Sequence, residues 1–354
     1  MIQVIFILLS VFLSGSVFGD RISDKIDKVC DEIKKDSDKY YSCFDMNSHP
    51  MYSPDGRYSV FTASIGIYTN KIYLMDISSN QMIKVINSPD FIDVYCVLSR
   101  DMKRLLYLKT TNGLGKKDYV NEIILMDLKT GEKKIIYNIT NISIQMIRFS
   151  YDESKIYFVR WDNPGKRNSG RRIYCVGTNG QKRIRMENRL YFDIDNMVSL
   201  PDNKTIVYSA KGNDFDEDNG YGIFMANEDT RKEIPVKHGF FSNACNYRLV
   251  FSQNYSNYVY AVRWIGIYKL PIDNPSLFEP DKDHEPLVKL NKHNGNFQDL
   301  SLSPDGKRIL FNEFIKVSII STNIMGEMDL DGNILRHLPV SKEDLMKAEV
   351  YKVE

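Results

Sequence analysis

The chain has 354 residues, and its 47 Lys and Arg residues against 46 Asp and Glu residues give a formal net charge of +1. This balance argues against a nucleic-acid-binding protein, because such proteins usually carry a basic excess or a basic stripe. A hydrophobic fraction of 43% and an aromatic fraction of 12% are typical of a well-packed β protein and exclude a disordered chain.

Residues 1–19 have the features of a signal peptide. They carry no charge, residues 4–13 are an apolar core, and the small residues Val17 and Gly19 precede Asp20 at the spacing of a cleavage site. We therefore expect a secreted or periplasmic protein. An uncleaved anchor is the alternative, because the start lacks a positive charge. No later run approaches the roughly 20 apolar residues of a spanning helix, so the mature form is predicted to have no membrane span.

Residues 20–45 form a separate N-terminal segment. Ile22, Ile26 and Ile33 recur at helical spacing, which predicts a short amphipathic helix that packs on the rest of the chain or binds a partner. Cys30 and Cys43 lie close together in this segment and are a candidate disulfide pair, which export would permit. The other cysteines, Cys96, Cys175 and Cys245, fall in strand-like runs and are expected to be small buried hydrophobes.

A turn phrase recurs through residues 46–340. It reads Ser-Pro-Asp-Gly at residues 53–56 and 303–306, and weaker copies begin at residues 99, 150, 200 and 252, so the steps are 46, 51, 50, 52 and 51 residues. Pro presets φ, Asp accepts bonds from its own backbone, and Gly takes a positive φ. The turn positions predicted in this way are Pro54, Asp55, Gly56, Pro201, Asp202, Pro304, Asp305 and Gly306.

A constant step of about fifty residues, each holding several short strands, predicts propeller blades. We expect an all-β, six-bladed β-propeller over residues 46–340, with four-stranded antiparallel blades, a short N-terminal helix before it, and a C-terminal tail over residues 341–354. Each blade would contain strands a to d, with the anchor turn joining a to b. Residues 40–45 and 349–354 are both candidates for a strand that closes the ring.

The third strand of each repeat carries the second recurring phrase, as in Lys71-Ile72-Tyr73-Leu74-Met75-Asp76. Together with the Ser-Pro-Asp-Gly turns, it resembles the TolB-like propellers, a WD40-like family of exported six-bladed proteins. The resemblance implies that the b–c and d–a loops surround a central channel on one face. Residues 20–45 leave no room for the N-terminal α/β domain of TolB, so its docking role is not carried over.

Two groups of residues are candidate metal ligands. His49, His238 and His293 fall near d–a connections, and imidazoles around a channel could bind a transition metal. The resemblance also extends to propeller lyases that use such a site; ordinary surface histidines are the alternative. Asp214, Asp216 and Asp218 alternate in the b–c loop of blade 4, so they either bind Ca²⁺ or belong to an ordinary polar loop. No other cofactor is expected.

Arg160-Trp161 and Arg263-Trp264 end strand b of blades 3 and 5 and contain the two tryptophans of the chain. An exposed Trp beside Arg favours sugar stacking or a protein hot spot, whereas a buried Trp would pack between blades. Arg171 belongs to a basic b–c loop in blade 3, beside the acidic loop of blade 4. This contrast predicts either a cross-loop ion pair or an anion-binding rim.

Recognisable catalytic motifs are missing from the sequence. There is no Gly-x-Ser-x-Gly elbow, no Gly-rich phosphate loop and no His-Glu-x-x-His. The sequence therefore favours a non-catalytic module that binds a protein or a glycan through its loop face. The alternative is a metal-dependent carbohydrate-active enzyme, of lyase or lactonase type, with its site in the channel.

Overall fold

The computed structural model describes residues 50–64, 70–78, 83–86, 92–111, 119–164, 169–181, 183–186, 190–212, 221–231, 233–237, 248–250, 258–263, 266–271, 288–289, 296–317, 320–338, 340, 344 and 347–350. The predicted signal peptide, the helix within residues 20–45, the Cys30–Cys43 pair and the candidate closing strand over residues 40–45 lie outside these residues.

The described strands follow the sequence repeat. Meander 1 contains β1 (Met51–Tyr52), β2 (Tyr58–Ser64), β3 (Asn70–Asp76) and β4 (Ile83–Ile86); meander 2 contains β5 (Ile92–Leu98), β6 (Arg104–Thr111), β7 (Val120–Asp127) and β8 (Lys133–Thr140); meander 3 contains β9 (Ile144–Phe149), β10 (Lys155–Asp162), β11 (Gly170–Gly177) and β12 (Ile184–Arg185). Within each meander, consecutive strands pair antiparallel.

The second half of the chain repeats this arrangement. Meander 4 contains β13 (Tyr191–Ser199), β14 (Thr205–Gly212), β15 (Tyr221–Asn227) and β16 (Glu233–Lys237); meander 5 contains β17 (Arg248–Val250), β18 (Tyr258–Arg263), β19 (Gly266–Pro271) and β20 (Val288–Lys289); meander 6 contains β21 (Asn296–Leu302), β22 (Arg308–Val317), β23 (Ile320–Asp329) and β24 (Ile334–Leu338). A last strand, β25 (Glu349–Val350), pairs in parallel with β4. The chain is therefore nearly all β over its described residues.

The first strands of meanders 2 to 6 contact one another in order, and the first strand of meander 6 contacts that of meander 1. β5 contacts β9, β9 contacts β13, β13 contacts β17, β17 contacts β21, and β21 contacts β1. β13 also pairs with β11, so meanders 3 and 4 form one continuous sheet, and the meanders pack face to face and converge on their first strands. Side chains that point to either face of a sheet are consequently buried against a neighbouring sheet.

The apolar core lies between neighbouring meanders. One cluster joins meanders 3 and 4 through Tyr157, Cys175 and Tyr208, and another joins meanders 1 and 2 through Leu74 and Cys96. Cys96 and Cys175 are free and buried, which confirms the prediction for these two cysteines. Burial raises the pKa of the Cys96 thiol to about 12, so it behaves as a small hydrophobe.

The anchor turns have the predicted geometry. The third residue after the anchor has a positive φ in the described copies, with values of +72° at Gly56, +58° at Met102, +60° at Glu153, +56° at Asn203 and +68° at Gly306. In each of these copies its N–H bonds back to the anchor carbonyl. The turn therefore keeps the same backbone conformation even in the copies where another residue stands in place of Gly.

Side-chain bonds reinforce the same turns. The Ser303 hydroxyl donates to Asp305 at 2.5 Å and accepts the N–H of Arg308 at 2.9 Å. The hydrogen bond from Ser303 holds the pKa of the Asp305 carboxyl below its ordinary value, although desolvation opposes this shift. Equivalent Ser–Asp pairs occupy the turns that begin at residues 99 and 150. These bonds explain why the Ser-x-Asp pattern recurs.

Replacing Gly306 by Val is expected to lower the free energy of unfolding by about 2 kcal/mol, because a β-branched residue is strained at a φ of +68°. Chemical denaturation of the full chain measures this loss. Gly306→Asn is the matched control and should cost much less, because Asn203 adopts the same φ in meander 4. Equal losses in the two variants would contradict this reading of the turn.

Candidate ligand-binding site

The ends of four strands meet on the face opposite the anchor turns, which we call the loop face. Trp161, near the end of β10, is paired with Arg171, near the start of β11. Arg171 is in turn paired with Tyr191 of β13, and this bridge joins meander 3 to meander 4. Asp193 of β13 then lies opposite Lys211 of β14. The backbone therefore places residues from two repeats side by side.

Arg171 is held in a fixed position at this junction. Its Nε donates to Gln145 Oε1 of β9 at 2.7 Å, and its Nη1 lies 3.1 Å from Asp193 Oδ1. Nη1 also donates to the backbone carbonyl of Phe192. The side chain of Arg171 is 18% exposed and that of Asp193 is 29% exposed. These polar groups are thus preorganised at the surface but remain accessible to solvent.

Two exposed aromatic rings flank this network. Trp161 is 38% exposed and Phe192 is 59% exposed. The Arg171 guanidinium lies 5.5 Å from the centre of the Trp161 ring, and the Lys211 ammonium lies 5.3 Å from the centre of the Phe192 ring. Each ring therefore has a cation beside it. We define the rim site as Gln145, Trp161, Arg171, Phe192, Asp193 and Lys211.

Arg160 belongs to a different network. Its Nε donates to Asp162 at 2.6 Å, its Nη2 donates to the Tyr174 hydroxyl at 2.6 Å, and its Nη1 reaches the Tyr137 hydroxyl of meander 2. Burial alone would raise the pKa of Asp162, but the bonds from Arg160 and Tyr174 outweigh it and hold that pKa below its usual value. Arg160 thus links meanders 2 and 3 and does not join the rim site.

The arginines of the predicted basic loop form ion pairs with carboxylates that belong to strands. Arg171 pairs with Asp193, and Arg172 lies 3.2 Å from Asp162. In the described part of the chain, the carboxylates that these arginines meet belong to strands β13 and β10. The acidic loop over residues 213–220 is outside the described residues, so the predicted ion pair with that loop stays a prediction.

Several predicted site residues cannot be compared with this geometry. His49, His238, His293, Asp214, Asp216, Asp218 and Trp264 lie outside the described residues, and of Arg263 only the backbone at the end of β18 is described. Among the residues that are described, no group of three or more His, Cys, Asp or Glu is arranged to hold a metal ion. The described part of the chain likewise contains no helix of the length and apolarity needed to cross a bilayer.

Four members of the rim site were not identified from the sequence, namely Gln145, Phe192, Asp193 and Lys211. A signal for Phe192 is nevertheless present. Tyr191 and Phe192 are adjacent aromatics at the start of a strand, and successive side chains in a strand point to opposite faces. Tyr191 is fully buried, so its neighbour has to face away from that core. The other three residues depend on contacts between strands, and of these contacts the one from Arg171 to Asp193 joins two repeats.

No protein-family model and no curated protein matches the sequence. Solved structures do resemble the fold. An oligogalacturonate lyase in complex with manganese aligns over 81% of this chain and 75% of its own, with 14% identity and a TM-score of 0.56. A nidogen–laminin complex aligns over 76% of this chain and 90% of its own, with 14% identity and a TM-score of 0.50.

TolB from Acinetobacter baumannii aligns over 80% of this chain with 16% identity and a TM-score of 0.44, and this chain spans 52% of that protein. The likenesses with TM-scores of 0.56 and 0.50 show the class of fold alone, a β-propeller, which confirms the resemblance seen in the repeats. The fold neighbours include both a protein complex and a manganese-bound lyase. The fold therefore does not distinguish a binding module from an enzyme.

Proposed function

We propose that the chain is an exported, six-bladed β-propeller that acts as a non-catalytic binding module through its loop face. Six blades are supported by the six meanders of four consecutive strands and by the contacts between first strands, which run from β5 through β9, β13, β17 and β21 to β1. Export to a secreted or periplasmic location is supported by the uncharged, apolar segment at residues 1–19.

The rim site carries the proposal. Trp161 and Phe192 remain exposed although each is large and apolar, and both lie beside the fixed Arg171 network on the loop face. Function in folds of this kind usually lies on the parts of loops and strand ends that a rigid scaffold presents. An exposed Trp next to Arg is a typical binding element, because the ring offers a flat apolar surface and the guanidinium offers directed donors.

Photo-crosslinking of the full chain in its native compartment tests this function. Phe192 is replaced by p-benzoylphenylalanine, and the same replacement is made at Ile135 and Leu335. These residues are 52% and 51% exposed, which is close to the 59% of Phe192, but they lie on the outer strands β8 and β24. We expect an adduct at position 192 and none at the two controls. Equal labelling at all three positions, or none at 192, would rule out a loop-face site.

A metal-dependent carbohydrate-active enzyme is the second candidate, favoured by the likeness to a manganese-bound lyase at a TM-score of 0.56. Residues 20–354 would be dialysed and their metal content measured by plasma mass spectrometry. About one retained transition metal per chain, lost in His238→Ala or His293→Ala, would replace the binding proposal by this one. Retained Ca²⁺ that is lost with Asp214→Asn would instead point to the loop over residues 213–220.

A further inference from the structure

The unused hydrogen-bonding groups of the rim site are of mixed type. Among the described residues, Arg171 Nη2, Gln145 Nε2 and Asp193 Oδ2 have no protein partner, whereas the other polar atoms of these side chains are bonded to one another or to backbone. The guanidinium and the amide offer donors, and the carboxylate offers an acceptor. A ligand that fits this set has to donate and accept at neighbouring positions.

A hydroxyl group does both, and vicinal hydroxyls do so at the spacing that planar Arg, Asp and Gln groups recognise. A simple anion fits poorly, because it only accepts, and Asp193 would repel it. Asp193 also neutralises Arg171, to which it lies at 3.1 Å. The polar half of the rim site therefore favours a polyol over a carboxylate or phosphate ligand.

The aromatic half of the site adds a stacking surface. Trp161 and Phe192 are exposed rings on neighbouring meanders, and the cations of Arg171 and Lys211 stand beside them. The flat C–H faces of a pyranose pack on such rings, while its edge hydroxyls reach the polar groups. A protein partner would bury the same rings at the centre of a large interface, so the chemical identity of a captured ligand discriminates between the two classes.

We propose that the rim site binds a saccharide, with a sugar ring stacked on Trp161 and its hydroxyls bound by Arg171, Asp193 and Gln145. This inference rests on the proposed loop-face function and names its ligand class.

The experiment that tests it identifies what a benzophenone at position 192 captures. The full chain carrying p-benzoylphenylalanine at position 192 is irradiated in its native compartment, and the adduct is digested and sequenced by mass spectrometry. We expect a series of saccharide mass increments joined to position 192. A peptide joined there would overturn the saccharide inference and leave the loop-face function standing. No adduct would overturn both.

Further variants of the same chain test whether the captured saccharide is bound at the rim site. Trp161→Ala and Arg171→Ala are each expected to lower the yield of saccharide adduct about tenfold, and Trp161→Phe should retain most of it because a ring remains. Lys129→Ala is the matched control, since Lys129 is exposed in the turn after β7, at the end of the sheet where the anchor turns lie, and its adduct yield should be unchanged. An unchanged yield in Trp161→Ala and Arg171→Ala would overturn the inference.

Discussion

Gly326→Ala is expected to lower the free energy of unfolding by about 3 kcal/mol, which would be among the largest effects of a single methyl group in this chain. Gly326 lies opposite Phe311 in the pairing of β22 with β23. A Cβ at position 326 would lie 2.4 Å from Phe311 Cζ and 2.9 Å from the carbonyl oxygen of Arg336. Neither contact is sterically tolerable, so the sheet has to distort.

The Phe311 ring has little room to move. It is fully buried, and it forms a T-shaped contact with the ring of His337, with 6.3 Å between the ring centres. The second obstacle, the Arg336 carbonyl, belongs to the backbone of β24 and cannot rotate away. Because φ at Gly326 is not positive, steric overlap rather than backbone strain is the cause of the expected loss.

Two comparisons test this cause by chemical denaturation. Gly177→Ala should be milder, because its new Cβ would meet the Asn179 side chain at 2.7 Å, and an amide at the end of a flexible side chain can move. Gly326→Ala combined with Phe311→Leu should be more stable than Gly326→Ala alone, since Leu vacates the positions of the ring atoms. If Gly177→Ala costs as much as Gly326→Ala, or Phe311→Leu gives no relief, the overlap with Phe311 is not responsible.

The repeats could be predicted from sequence because their determinants are local. The turn at Ser303 depends on bonds that reach no further than Arg308, so a phrase of six residues contains the whole pattern. Even degenerate copies preserve the sign of φ at Met102, Glu153 and Asn203. Local hydrogen bonding and the alternation of apolar side chains were therefore sufficient to predict strands, turns and the propeller class.

Side-chain contacts between strands that are distant in the sequence could not be predicted in the same way. Arg171 bonds to Gln145 of β9 and to Asp193 of β13, and no feature of the sequence around these residues indicates that they meet. Trp161 is informative in a different sense: its residue type suggested a binding element, but only its 38% exposure distinguishes a binding surface from inter-sheet packing. Side-chain networks between sheets depend on twist and register, which a single repeat does not specify.

The junction between meanders 6 and 1 is also formed by side chains that are distant in the sequence, and its central residue is Glu327. This carboxylate is 1% exposed and accepts the Tyr52 hydroxyl of β1 at 2.6 Å. Arg336 Nε donates to it at 2.6 Å, and Arg308 Nη1 lies 3.3 Å away. Burial and then the bond to Glu327 raise the pKa of Tyr52, so this hydroxyl remains a donor.

Removing the carboxylate is expected to be costly. Glu327→Ala should lower the free energy of unfolding by about 3 kcal/mol, because it leaves the buried Tyr52 hydroxyl without its acceptor and removes the buried carboxylate that two guanidinium groups meet. This expected loss lies at the lower end of the range for removing one partner of a buried ion pair. The reason is that Arg308 and Arg336 are 35% and 30% exposed, so water can solvate them. Chemical denaturation of the full chain measures the loss.

A double-mutant cycle with Tyr52→Phe determines whether the bond between meanders matters in itself. If Tyr52 and Glu327 stabilise the junction together, the double variant loses less than the sum of the single losses. Asp229→Ala is the matched control: Asp229 accepts Lys204 at 2.7 Å, but the two side chains are 59% and 52% exposed, so breaking this pair should leave stability unchanged within error. Additive losses at Tyr52 and Glu327 would show that their hydrogen bond does not stabilise the junction.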